Sequence, residues 1–292
     1  MAWDERQAAM LAEMGIRLWS PPAPAEAADG AGIAAPERPL GRPAAPPVLH
    51  EAAAPAGSAA PAVREAGGAA ALPAAGAERA AAIAGLGWPA LAEAVAGCTA
   101  CALCRGRTRT VFGVGHPRAH CMVVGEAPGE QEDRQGEPFV GKAGQLLDAM
   151  LRAAGLGRSV PAGAAGDGDP ASRVYIANVL KCRPPMNRNP APDEVALCEP
   201  FLRRQIALVR PRVILAMGRY AVSSLLGSDA PIGRLRGRVH EVEGVPTVVT
   251  YHPAYLLRNP SDKARAWDDL CLALERLRVA PVRGGDPGAG AA

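Results

Sequence analysis

Apolar residues gather in four short runs: CMVVG (121–125), VYIANVL (174–180), RVILAMG (212–218) and PTVVTYH (246–252). Runs of this length, rich in β-branched residues, predict strands buried on both faces. Between and after them, apolar positions recur at helical spacing over residues 143–154, 192–209, 219–226 and 263–278. Pro192, Asp193 and Glu194 mark a helix start, since proline and acids suit a first turn. Strands alternating with helices predict an α/β fold of three layers, α/β/α, around a central, mostly parallel four-stranded sheet. Residues 155–172, rich in Gly, Ala, Pro and Asp, read as a surface loop.

Outside this region the pattern fades. Residues 3–19 carry Met10, Leu11, Met14 and Leu18 at helical spacing, which predicts a short amphipathic helix suited to a protein partner or simply to solvent. Residues 20–80 are an Ala/Pro/Gly tract with too little apolar surface to offset the entropy of ordering, and 281–292 resemble them, so both are expected to be disordered. Three segments follow: an N-terminal extension over 1–85, a folded domain over 86–280 and a tail over 281–292.

Composition sharpens the division. Hydrophobic residues make up 49% of the 292, but alanine supplies much of this and aromatics only 4%. Lys and Arg number 6 against 10 Asp and Glu in residues 1–96, but 25 against 18 in residues 97–280. The folded part is thus basic, which suits a polyanionic partner or a mildly basic solvated surface. No run of about 20 apolar residues is present, and the N-terminus lacks the basic-then-apolar order of a signal peptide. A cytoplasmic monomer away from membranes is expected, and there seven cysteines suit metal binding or catalysis better than disulfides.

In open α/β sheets ligands bind beyond the carboxyl ends of the strands. The first run ends in Gly125-Glu126-Ala127-Pro128-Gly129, the second carries Asn178 near its end, and the fourth ends in Tyr251-His252-Pro253. A carboxylate, a carboxamide and an imidazole should therefore meet in one crevice. Cys98, Cys101, Cys182 and Cys198 form a split C-x2-C…C-x15-C set that suits zinc or an iron–sulfur cluster, with Cys104 as a rival ligand. Cys121 and Cys271, in apolar surroundings, are expected in the core.

Three stretches carry a resemblance: GEAPGEQEDRQGEPFVGKAGQLLD (125–148), YIANVLKCRPPMNRNP (175–190) and HPAYLLR (252–258). Together with the cysteines they closely resemble the iron–sulfur uracil-DNA glycosylases of family 4, over about residues 97–278. The resemblance implies hydrolysis of the N-glycosidic bond of uracil in DNA, a 4Fe-4S cluster on Cys98, Cys101, Cys182 and Cys198, and uracil-containing DNA as partner. It implies that Phe139 stacks on the base, Asn178 reads the uracil edge and His252 contacts a uracil carbonyl oxygen. Glu126 and Asn187 would serve the sugar and the attacking water. Ala127 stands where other glycosylases of this fold place an Asp or Asn, which leaves the water activator open, with Glu132 a secondary candidate. Leu256, Leu257 and Arg258 match a loop that wedges into DNA, while Lys142, Arg183 and Arg188 could meet phosphates or be plain surface charge. Two rivals predict other outcomes: a colourless four-cysteine zinc module that binds nucleic acid without catalysis, and a relative that traps uracil covalently through a histidine, which RPPMNRNP lacks.

Overall fold

A computed structural model describes residues 74–158 and 169–279, together with Glu13. The expected helix at 3–19, most of the 20–80 tract, the middle of the 155–172 loop and the 281–292 tail lie outside the described residues. Six strands form one sheet: β1 (Val114–Gly115), β2 (Cys121–Gly125), β3 (Val174–Asn178), β4 (Val213–Met217), β5 (Val239–Val242) and β6 (Val245–Thr250), in the order β1-β3-β2-β4-β6-β5. The four expected strands are its parallel centre. The two that were not expected, β1 and β5, pair antiparallel at the edges. A two-residue strand such as β1 has no periodicity to read. By contrast β5 and β6 form a hairpin whose turn, Glu243-Gly244, takes left-handed φ at both positions, a Gly-containing turn visible in the sequence.

Successive residues of the central strands point to opposite faces, and both faces are apolar. On one, Val123, Ile176, Leu215 and Val248 pack against Leu147 and Met150 of α4 (Lys142–Ala153) and Trp267 and Leu270 of α9 (Lys263–Val279). On the other, Met122, Ala177, Ile214 and Val249 meet Leu202 and Ile206 of α5 (Pro192–Val209) and Val222 of α6 (Arg219–Leu226). These are the three layers expected. Shorter helices complete the chain: α1 (Ala74–Ala84), α2 (Trp88–Ala96), α3 (Glu130–Gln135), α7 (Ile232–Leu235) and α8 (Pro253–Arg258). No helix among the described residues is long and apolar enough to cross a membrane.

Two expectations change. The folded region starts earlier than residue 86: α1 lies within the expected extension, yet Ile83 is buried with Leu91, Val95 and Phe201. Arg79 lies 4.7 Å over the Phe201 ring and donates to Cys98 Sγ at 3.4 Å. Alanine-rich helix and alanine-rich linker read alike, and only two informative side chains separate them here. Cys271 is exposed rather than in the core, because on α9 it faces away from buried Leu270, whereas Cys121 is buried as expected.

A chain beginning at Ala74 is expected to unfold at the same temperature as the full protein. One beginning at Gly87 is expected to be less stable by about 2 kcal/mol from the lost burial of Ile83 alone. Thermal melts of the two truncations check this, and equal stability would move the boundary back to residue 86.

Candidate active site

β2 connects to β3 on one side, and the chain then returns past β2 to β4, so the order reverses there. The carboxyl ends of the strands at such a reversal leave a crevice. An open cleft of about 680 Å³ lies there, lined by Glu126, Ala127, Glu132, Phe139, Asn178, Asn187, Arg188, His252 and Arg258 among others. The carboxylate, carboxamide and imidazole expected to converge thus share one cleft. Lys142 and Arg183 do not line it. Neither do Leu256 and Leu257, which the expected wedge contains: Leu256 is fully buried in the core on α8, and Leu257 is exposed.

Asn178 ends β3. Its side chain is 2% exposed, and Oδ1 has no hydrogen-bond partner among the described residues. An unpaired buried amide oxygen costs about 1–3 kcal/mol, so the position suits an incoming donor better than an empty cleft. There is no slack around it: a Cβ on Gly125 would lie 2.5 Å from Asn178 Oδ1 and 2.6 Å from Phe139 Cζ.

Phe139 is buried at φ 55°, which is costly for a bulky residue. Its surroundings hold it there. Arg158 donates to the carbonyls of Pro138 (2.7 Å) and Phe139 (3.0 Å), and its Nε donates to Asp148 at 2.8 Å. Gly144 admits the Phe139 carbonyl, which would lie 1.7 Å from a Cβ at that position. Glu132 braces the far side, accepting from the backbone N–H groups of Gly129, Val140 and Gly141 at 3.0–3.1 Å. Glu132, the secondary candidate for activating water, thus fastens this loop and also lines the cleft. The Phe139 ring stacks on His252, with centroids 5.4 Å apart.

His252 caps α8: its Nδ1 accepts the Ala254 N–H at 3.2 Å. An accepting Nδ1 places the ring proton on Nε2. Burial, aided by the Arg258 charge, pulls its pKa down to about 4, so the ring is a neutral donor at ordinary pH. Burial acts oppositely on Glu126 and pushes its carboxyl up to about 7.

Asn187 sits at φ 53° beside Met186 at φ 56°, and its Oδ1 accepts from Arg183 Nε at 2.8 Å. Arg188 is committed to Glu194 through two bonds of 2.9 and 2.6 Å. Tyr251 and Tyr255, stacked 5.0 Å apart, form a wall that the sequence reading did not single out.

A second cavity, on the α2 and α5 side of the sheet, is lined by Cys98, Cys101, Cys104, Cys182 and Cys198. Arg107 donates to Cys182 Sγ (3.3 Å) and the Lys181 backbone N–H to Cys198 Sγ (3.3 Å). Among the described residues no group of three or more His, Cys, Asp or Glu is drawn closely enough to hold a metal ion. Burial pushes the Cys198 thiol up to about 12 and raises those of Cys101 and Cys182. Between the two sites lies Lys181, fully buried, whose Nζ donates to the Asn178 carbonyl (2.7 Å) and to Gln205 Oε1 (2.6 Å).

Residues 112–271 match the family model of the uracil DNA glycosylase superfamily. This chain belongs to that superfamily, on its type-4 branch. It is 43% identical over 175 residues to the type-4 uracil-DNA glycosylase of Thermotoga maritima, covering 59% of this chain and 84% of that one. The type-4 enzyme of Archaeoglobus fulgidus is 42% identical over 174 residues, 57% of this chain and 81% of its own. A type-5 uracil-DNA glycosylase of Pyrobaculum aerophilum is also similar, 36% identical over 147 residues, with 49% and 64% covered. The superfamily match starts after Cys98, Cys101 and Cys104, so it bears on the sheet and the cleft and not on that cysteine segment.

Proposed function

We propose that this protein removes uracil from DNA by hydrolysing the N-glycosidic bond, leaving an abasic site. The observation that carries the reading is the unpartnered Asn178 Oδ1, buried at a strand end in the cleft. A nucleotide flipped out of the duplex would bring uracil there. Oδ1 would then accept N3–H while the amide donates to O4; cytosine, with no N3–H and a donor at position 4, leaves both groups frustrated. Phe139 supplies the stacking face.

Bond cleavage sends the electron pair of C1′–N1 onto the base, and positive character builds on the sugar. His252 Nε2–H donates to the uracil O2 as that charge develops, and a neutral ring suffices. Water adds its oxygen to C1′ and gives its proton to the Glu126 carboxylate, whose raised pKa suits a general base near neutrality. Asn187, which lines the same cleft, orients the sugar or the water. Arg258 lies at the rim, where it can hold a phosphate.

Of the five cysteines that line the second cavity, Cys98, Cys101, Cys182 and Cys198 would hold a 4Fe-4S cluster. Donors from Arg79, Arg107 and the Lys181 amide suit anionic sulfur, while burial raises the thiols of Cys101, Cys182 and Cys198. A bound metal centre reconciles the two, since a cation deprotonates its thiols. When bound, the cluster cross-links the α2 segment to the sheet.

The decisive test is purified protein on a uracil-containing oligonucleotide, followed by alkali to reveal abasic sites, with iron and sulfide assayed on the same preparation. Zinc without iron and no strand scission would favour a binding module instead.

The single-turnover rate is expected to rise with pH through about 7 and then level, because protonated Glu126 cannot accept a proton. His252 titrates near 4 and leaves that limb alone. Glu126→Gln should lower the plateau and abolish the limb; an unchanged pH profile in that variant removes Glu126 as the base.

A further inference from the structure

Three large hydrophobic side chains are exposed among the described residues: Met186 at 93%, Val279 at 70% and Leu257 at 43%. Val279 ends α9. The other two border the cleft, Met186 between lining residues Pro184 and Asn187, Leu257 between lining residues Tyr255 and Arg258. A single exposed apolar residue is ordinary, but the way Met186 is held is not.

Met186 and Asn187 both take left-handed φ, at a cost of about 1–3 kcal/mol for Met186 and less for asparagine, which tolerates that region. The turn is built to keep them there. Pro184 and Pro185 restrict the approach, and the N–H groups of Asn187 and Arg188 donate to the Pro184 and Pro185 carbonyls at 3.0 Å each. Arg183 pins Asn187 from one side, and Glu194 pins Arg188 from the other. Strain maintained by this many contacts marks a position with a job. Its outcome is a rigid tip that presents a thioether to solvent at the lip of a cleft.

We propose that Met186 is a DNA-inserting residue, on a turn separate from α8, that enters the base stack of duplex DNA beside the nucleotide leaving for the cleft. Apolar wedges, methionine among them, stabilise unstacked steps. A rigid tip inserts without an ordering cost of its own. This inference rests on the glycosylase reading above.

The test compares Met186→Asn, which tolerates left-handed φ but removes the apolar tip, with Met186→Leu, which keeps it. Single-turnover cleavage is measured on a duplex and on the matching single strand, and binding by anisotropy on a duplex holding an abasic-site analogue. Met186→Asn should lose about tenfold in duplex cleavage and in duplex binding and less than about twofold on the single strand, with Met186→Leu restoring the duplex values. Equal losses on both substrates, or none on either, overturn the wedge. If wild-type protein cleaves neither substrate, the glycosylase reading falls and this role with it; if wild type cleaves and the variants match it, only the wedge falls.

Discussion

His252→Ser is expected to cut single-turnover cleavage of uracil DNA by about a hundredfold to a thousandfold while leaving affinity for that DNA within a few fold. The size follows from losing one donor aimed at developing charge, worth about 3–4 kcal/mol. A donor that strengthens only in the transition state contributes little to ground-state binding. Serine is the informative replacement because the histidine does two things. Its Nδ1 caps α8 by accepting from Ala254, and serine is itself a favoured N-cap. The helix therefore keeps its cap while the Nε2–H is lost. Cleavage and oligonucleotide binding are measured on one preparation, with the visible spectrum as a check on the cysteine site. Parallel loss of both would make His252 a binding or structural residue.

Asn178→Ala is expected to lower kcat/KM on uracil DNA at least about a thousandfold without lowering the melting temperature. Sites built to hydrogen-bond a substrate lose about four to five powers of ten in discrimination when that pairing fails, and some of this survives here through Phe139 stacking and the His252 donor. The stability half of the prediction is the sharper one. Truncating a buried amide usually destabilises, but this Oδ1 is already unpaired, so its removal relieves a desolvation cost. A folded, active Asn178→Ala would exclude the side chain from base recognition; a lower melting temperature would mean that the amide has a structural partner after all.

The centre of the molecule was legible because physics there is local. Five-residue apolar runs such as CMVVG and VILAM have one way to be buried on both faces, and their carboxyl ends placed Glu126, Asn178 and His252 together before any contact was known. The edges were less so. β1 is too short to show a period, and VHEV, only half apolar, gives the Glu243-Gly244 turn no clear strand pattern before it. α1 was hidden by composition. Roles set by hydrogen bonds were the least accessible: nothing in EQEDRQ says that Glu132 has its oxygens filled by three backbone donors, or that Leu256 turns inward while Leu257 turns out. The Arg158 clamp on Phe139 spans 19 residues of chain, and no spacing rule would have found it.

That clamp also sets where the protein can be lengthened. Gly157 N–H donates to the Ser172 carbonyl and Val174 N–H to that of Gly157, both at 3.0 Å, so the two ends of the stretch between them meet at one fastened point. Extending such a closed excursion costs only about 0.6 kcal/mol for each doubling of its length. Among the described residues of that stretch, the one bonded to the Phe139 turn is the first, Arg158. A purification tag or a fluorescent reporter spliced in after Arg158 would therefore leave its bonds to Pro138 and Phe139 on the fastened side of the insertion, whereas a splice one residue earlier would part Arg158 from Gly157.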